Sequence, residues 1–285
     1  MIATQMVGDL LDVEARRMAT ALGISFIEAR SEAQTLLCWS LGVAREWLAA
    51  HADHDIEIRA AMKFERACAR RAHGEPVAYI TGVREFYGLE FAVGPDVLIP
   101  RPETEMLVEL ALAKLAKNTS CAILDLGTGS GAIAVTLARL LPHARVVAVD
   151  VSLGALAMAS ANAQRHGVRT IRFVESNWFA NMGAERFDLI VSNPPYVAIH
   201  DAHLSDLKFE PMGALVAGSD GLACLREVIA GAITYLRDGG YLMVEHGFDQ
   251  AAQCRAMFEQ AGFKAIESHT DLAGIPRVAV AQRLG

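Results

Sequence analysis

Apolar residues recur at three- and four-residue intervals from the first turns of the chain. Val7, Leu10, Leu11, Met18 and Leu22 share a helical face that stops at Gly23. Ser25 and Glu28 follow in S-x-x-E capping-box spacing. They open a second helix with Ala29, Ala33, Leu36 and Leu37 on one face and Gly42 just past its end. A third helical stretch is predicted over about residues 56–73, ending at Gly74-Glu75-Pro76. No strand pattern interrupts residues 1–75, which read as a small helical bundle.

The pattern changes after Pro76. Residues 76–99 are rich in Val, Ile, Tyr and Phe and punctuated by Gly82, Gly88 and Gly94, which predicts a β-hairpin linker. From residue 100 to 285, strand-like segments near 122–126, 145–150, 171–175, 187–193 and 240–245 alternate with helical stretches. Such alternation implies an α/β fold with a doubly wound, mostly parallel sheet. Two last strand-like pieces, near 264–269 and 277–283, have no helix between them, so one should run antiparallel.

Composition narrows the class. The chain has 285 residues, 53% hydrophobic and 21% charged, with a formal net charge of −7. It is too apolar for disorder, and no run of about 18 apolar residues is free of charge, so no membrane span is expected. Asp9, Asp12, Glu14, Arg16 and Arg17 near the start exclude an apolar signal core, which points to the cytoplasm. Cys38, Cys68, Cys121, Cys224 and Cys254 are odd in number and form no C-x-x-C pair. They read as reduced thiols, with neither a disulfide framework nor a zinc site. The acidic balance argues against a protein whose main task is gripping nucleic acid.

Two motifs carry chemistry. The first strand of the sheet region runs into Gly127-Thr128-Gly129-Ser130-Gly131 and then a helix. Glycines there permit a tight turn and close approach to a ligand, while the helix start offers free N–H groups. About twenty residues on, the next strand ends in Asp150, placed to accept ribose hydroxyls. Asp125, just before the loop, would repel a pyrophosphate and suit a cationic ligand, of which S-adenosylmethionine is one. A dinucleotide site and a turn that binds nothing stay open at this point.

The second motif, Ser192-Asn193-Pro194-Pro195-Tyr196, ends the fourth strand of the sheet region. In an open parallel sheet that end faces the ligand crevice. The Asn193 side-chain oxygen and the Pro194 carbonyl can each accept one N–H of a planar amide or amine, holding its nitrogen in line with a methyl donor. Bonds of this kind contribute roughly 1.5–3 kcal/mol each, and alignment of the two reactants roughly 7–11 kcal/mol more. Pro194 and Pro195 bar helical geometry and bring no competing N–H. Tyr196 offers a flat face to a planar group.

With these residues the chain resembles the release-factor glutamine methyltransferases (the PrmC/HemK family). The resemblance extends over Gly74-Glu75-Pro76, Tyr79-Ile80-Thr81-Gly82, Arg84-Glu85-Phe86-Tyr87-Gly88 and the run from Leu98 to Glu105. Further on it takes in Phe209-Glu210-Pro211, Ala214-Leu215, Glu245-His246-Gly247, Asp271-Leu272-Ala273-Gly274 and Arg277-Val278. It implies a Rossmann-like methyltransferase domain that uses S-adenosylmethionine and releases S-adenosylhomocysteine. Its substrate would be the GGQ glutamine of class I peptide chain release factors, recognised by the helical bundle. It further implies that Gly127 through Gly131 wrap the methionine part and Asp150 the ribose. Trp178 would lie beside the adenine, and Asn193 through Tyr196 would hold the glutamine, Asn193 also reaching the cofactor. Asn177 stands where the family often has Asp, which changes the adenine contact without removing an acceptor. No metal, membrane or stable nucleic-acid partner is implied, and a monomer is expected.

The rival readings are an adenine amino-group methyltransferase acting on DNA or RNA, and a cofactor-binding scaffold without catalysis. About 25 residues follow Tyr196 before the next helical stretch, too few for a domain that extracts a base. Intact Asn193 and Tyr196 argue against a scaffold. Five further features carry an ordinary structural reading, which for His246 stands level with a place bordering the pocket. They are the basic stripe of Arg59, Lys63, Arg66, Arg70 and Arg71, the clusters His51-Ala52-Asp53-His54-Asp55 and His200-Asp201-Ala202-His203, the helix-opening pair Glu103 and Glu105, and His246.

Overall fold

The computed structural model describes residues 6–115 and 120–285; residues 1–5 of the predicted bundle and 116–119 of the sheet region lie outside the described residues. The chain divides between Val83 and Arg84 into two compact units. The first holds α1 (Val7–Leu22), α2 (Phe26–Leu41), α3 (Arg45–Ala50), α4 (Ile58–Ala72) and α5 (Val77–Thr81). Ser25 Oγ accepts from Glu28 N–H at 3.2 Å, and Gly23 and Gly42 close α1 and α2 in the left-handed conformation. Met18, Leu36, Leu37 and Phe64 are completely enclosed where α1, α2 and α4 meet. Each such side chain stabilises the fold by roughly 1.5–3 kcal/mol.

Residues 77–81 depart from the hairpin expectation. Their Val, Tyr and Ile favour a strand, yet they form the helix α5, begun after Pro76 and stopped at Gly82, whose N–H donates to Ala78 O at 2.8 Å. Burial of Ala78, Tyr79 and Ile80 outweighs strand propensity, which measures little more than fit to a half-buried surface. The hairpin proper is β1 (Val83–Phe86) and β2 (Leu89–Ala92). Tyr87 and Gly88 turn it with φ of 52° and 71°, the signs a two-residue primed turn demands. The hairpin packs on the sheet unit, burying Phe86 and Phe91 in a core shared with Leu107 and Ile133.

The remaining elements are α6 (Glu105–Lys114), β3 (Ala122–Leu126), α7 (Ala132–Leu140), β4 (Arg145–Asp150), α8 (Leu153–Arg165), β5 (Ile171–Glu175) and β6 (Phe187–Ser192). After them come α9 (Ala223–Tyr235), β7 (Leu236–Glu245), α10 (Ala251–Gln260), β8 (Lys264–Thr270) and β9 (Pro276–Gln282). The seven-stranded sheet has the order β5-β4-β3-β6-β7-β9-β8. Its first five strands are parallel, and β9 runs antiparallel to both β7 and β8. The doubly wound, mostly parallel α/β sheet is therefore as the alternation of patterns implied. Two apolar layers cover its faces, so β3 is buried along its whole length. Strand order reverses beside β3, and a crevice forms at the carboxyl ends of β3, β4 and β6. Among the described residues no helix is long and apolar enough to cross a membrane.

Candidate active site

A cavity of about 500 Å³ lies in that crevice, within the size range of small-molecule sites. Gly127, Thr128, Gly129 and Ser130 form one wall, followed by Ala132 and Ile133 at the start of α7. Gly131 stands just outside it with φ 81°, and a Cβ there would lie 3.0 Å from the Ala159 Cβ. This glycine lets α8 press against the loop. Gly127 and Thr128 N–H both donate to Val149 O, and Gly129 N–H donates to Asp150 Oδ2, all at 2.9 Å. These loop amides hold the loop to β4, so the turn meets a ligand largely through its shape.

Asp150 lines the cavity, its two oxygens each accepting one backbone N–H, from Gly129 and Ser152. Each oxygen keeps lone-pair capacity for a further donor. Asp125 differs from its expected place. It is fully buried beneath the loop, away from the cavity wall, and accepts the Thr128 hydroxyl at 2.7 Å. Burial pushes its carboxyl up to about 7 against that hydrogen bond. It cannot be the carboxylate that selects a cationic ligand. The carboxylates in the wall are those of Asp96, Asp150 and Glu227, and among the described residues no Lys, Arg or His joins them. Such a wall suits a sulfonium and an ammonium and opposes a pyrophosphate. Trp178 and Asn177 also line it, Trp178 with φ 49°.

Asn193 and Pro195 reach the cavity, while Pro194 and Tyr196 do not form part of its wall. Asn193 Nδ2 donates to Thr104 Oγ1 at 3.0 Å, and its Oδ1 is buried with no partner. Thr104 Oγ1 in turn donates to Glu245 Oε2 at 2.7 Å, and the Tyr196 hydroxyl donates to Glu245 Oε1 at 3.1 Å. Tyr196 thus acts as a strut: its ring packs against the apolar layer, and its phenol is pushed above its ordinary range by burial and by Glu245. Gln250 Nε2 donates to Tyr196 O at 3.0 Å, pinning the segment from behind.

Sequence reasoning assigned no chemistry to Thr104, Glu245 or Glu210. Glu210 is 5% exposed and accepts from Ile99 N–H at 3.0 Å and from Arg101 at 2.5 Å. It ties the wall around Leu98 and Pro100 to the wall around Pro211 and Ala214. All three residues stood inside quoted motifs, the only signal available, because their partners are distant in sequence.

The remaining candidates have structural tasks. Glu105 accepts the Tyr87 N–H at 2.8 Å and supports the hairpin turn. His246 is buried, its Nδ1 is bonded to Gly247 O, and desolvation holds its pKa below the ordinary value. In the basic stripe Arg70 pairs with Glu75, Arg71 with Glu32, and Lys63 lies 3.7 Å over the Trp39 ring. His51 stacks on Trp47, and His203 pairs with Asp201. Among the described residues no group of three or more His, Cys, Asp or Glu is arranged to hold a metal.

Comparison with known proteins identifies families and relatives that the chain resembles. Residues 104–208 match the methyltransferase small domain family, and residues 15–82 the PrmC N-terminal domain family. The release factor glutamine methyltransferase of Burkholderia pseudomallei (strain K96243) is 48% identical over 256 residues, covering 87% of this chain and 90% of its own length. That of Bordetella pertussis (strain Tohama I) is 49% identical over 253 residues, covering 88% and 93%. A solved methyltransferase structure from Pyrococcus furiosus is similar in fold alone, with a TM-score of 0.53 and 18% identity over 76% of this chain and 98% of its own.

Proposed function

The chain belongs to the release factor glutamine methyltransferase family, and on that premise we propose its reaction: transfer of a methyl group from S-adenosylmethionine to the side-chain amide nitrogen of the GGQ glutamine in class I peptide chain release factors. The observation that carries the reading is Asn193 Oδ1, a buried acceptor with no partner beside a cavity walled by carboxylates. An unpaired buried oxygen costs roughly 1–3 kcal/mol, and a substrate N–H removes that cost on binding.

The cavity fits the proposed donor. Asp150 would take its ribose hydroxyls, Trp178 and Asn177 its adenine, and Gly127 through Ser130 its methionine part, a reading supported by their all lining one cavity. When bound, S-adenosylmethionine supplies an activated methyl on a sulfonium. Asn193 Oδ1 and the Pro194 carbonyl each accept one N–H of the glutamine amide, fixing its plane. They also stabilise the positive charge that builds on its nitrogen as the new C–N bond forms and the C–S bond breaks. One amide proton then leaves to solvent. Pro195 lines the approach, and Tyr196 holds the segment through Glu245. We assign recognition of the release factor to the helical unit, supported by the family match over residues 15–82.

Incubation with labelled S-adenosylmethionine and either unmethylated release factor or double-stranded DNA tests the reading. The expected product is one methyl group on the GGQ peptide, located by fragmentation mass spectrometry to the glutamine side chain. Label on DNA with none on release factor overturns it.

A further inference from the structure

Asn193 has chemically opposite ends, and only its oxygen suits an incoming N–H. The neighbours decide which end faces the cavity. Nδ2 lies 3.0 Å from Thr104 Oγ1, and Oδ1 is the end left without a partner. A threonine hydroxyl has one hydrogen, and here it goes to Glu245 Oε2 at 2.7 Å. With that hydrogen committed, Oγ1 offers Asn193 only lone pairs. The amide must then turn its N–H toward Thr104 and its oxygen toward the cavity.

Glu245, at the end of β7, is 1% exposed, and both its oxygens accept, from Thr104 and from Tyr196. An ionised carboxylate can do nothing else, whereas a protonated one carries a donor of its own. We propose that Glu245 is a positioning residue for methyl transfer: as a carboxylate it fixes the Thr104 hydroxyl, and the hydroxyl fixes Asn193 with Oδ1 toward the substrate nitrogen.

Protonation releases the constraint. Thr104 can accept the new carboxyl hydrogen and swing its own toward Asn193, whose amide then flips to receive it. Nδ2 would face the substrate N–H, donor against donor. The charged and titratable groups facing Glu245 set where this happens. Burial pushes its carboxyl up to about 7, opposed by the bonds from Thr104 and Tyr196; Glu103 raises it further and Arg277 on β9 lowers it. Arg277 is itself paired with Asp271 at 3.0 Å. Tyr196 is held protonated, and the neighbouring His246 is held toward its neutral form. The switch therefore falls near neutrality.

This inference rests on the glutamine-methylation reading, and its test separates the two. Single-turnover rates on release factor, at saturating S-adenosylmethionine, are measured from pH 5.5 to 8.5 for wild type, Thr104→Val and Thr104→Ser. Wild type should lose about tenfold in rate per pH unit below a midpoint near 7. Thr104→Val should be at least tenfold slower at pH 8.5 and lack that acid limb, with S-adenosylmethionine affinity within threefold. Thr104→Ser should keep both rate and limb. In the substrate-free protein, ¹³C and ¹⁵N spectra should show the Asn193 side-chain amide shifting with the midpoint of the Glu245 carboxyl, and losing that coupling in Thr104→Val. A Thr104→Val enzyme as fast as wild type, a Thr104→Ser enzyme as slow as Thr104→Val, or an Asn193 amide indifferent to Glu245 would overturn the proposal. If wild type methylates no release factor, the reaction assignment fails and the spectra alone decide the relay.

Discussion

Replacing Asn193 by Ala removes a buried acceptor, Oδ1, that has no partner within the protein, on a residue that lines the cavity. A hydrogen bond to a nitrogen gaining positive charge contributes roughly 1.5–3 kcal/mol, or about 10- to 150-fold in rate. Loss of one of two acceptors also frees the amide to rotate about the other, which erodes the alignment term. The single-turnover rate should therefore fall at least about a hundredfold. Within the protein Asn193 gives up only the bond from Nδ2 to Thr104, while Thr104 keeps its bond to Glu245. The stability cost should be about 1 kcal/mol, a shift of roughly 2–4 °C in Tm for a unit of this size. Asp150 and Trp178, on other strands and loops, are untouched, so S-adenosylmethionine affinity by calorimetry should stay within threefold. A variant that binds the donor normally and still turns over within tenfold of wild type would refute the role given to Asn193.

Other outcomes follow from the same geometry. Asp150→Ala should weaken S-adenosylmethionine binding by roughly 1–3 kcal/mol in calorimetry, because ribose hydroxyls and the Gly129 and Ser152 amides lose their acceptor; an unchanged Kd contradicts the placement. Glu210→Ala strands the Ile99 N–H and should cost roughly 1–3 kcal/mol in denaturant unfolding, while Glu210→Gln, which keeps an acceptor for that N–H, should cost less. Gly221→Ala places a Cβ 2.5 Å from Tyr196 O at a residue with φ 73°, so it should lower kcat more than it weakens donor binding, read in the two assays side by side. Asp125 and Glu245 have folded pKa values raised to about 7, so the folded chain holds protons that the unfolded chain gives up near pH 4. Their stabilising contribution is full below that pH and is lost as pH rises through 7. Asp125→Asn should flatten that decline in denaturant titrations between pH 4.5 and 7.5, and an unaltered slope would sink the assignment.

The glycine loop, Asp150 and Asn193 were legible as parts of the crevice wall because each is a local statement, a turn or a strand end defined by a few adjacent residues, whereas the place of Tyr196 behind that wall was not. Helices α1 and α2 were legible for the same reason: periodicity and caps lie within one segment. Residues 77–81 were misread because Val, Tyr and Ile are common to strands and to buried helices, and burial is not a local property. Asp125 was misread in a related way. Its position before the loop was plain, but whether it faces ligand or core depends on how β3 is packed.

The sequence by itself determined the alternation of strands and helices after residue 100, the mostly parallel sheet and the segments that line its crevice, because hydrophobic period and turn chemistry act over a few residues. Tertiary structure alone decided which acceptor stays unpaired. Asn193 and Thr104 stand 89 positions apart, and Thr104 and Glu245 stand 141 apart. The sheet brings the ends of β6 and β7 together beside the residue that precedes α6, and only there can one hydroxyl proton settle the direction of an amide.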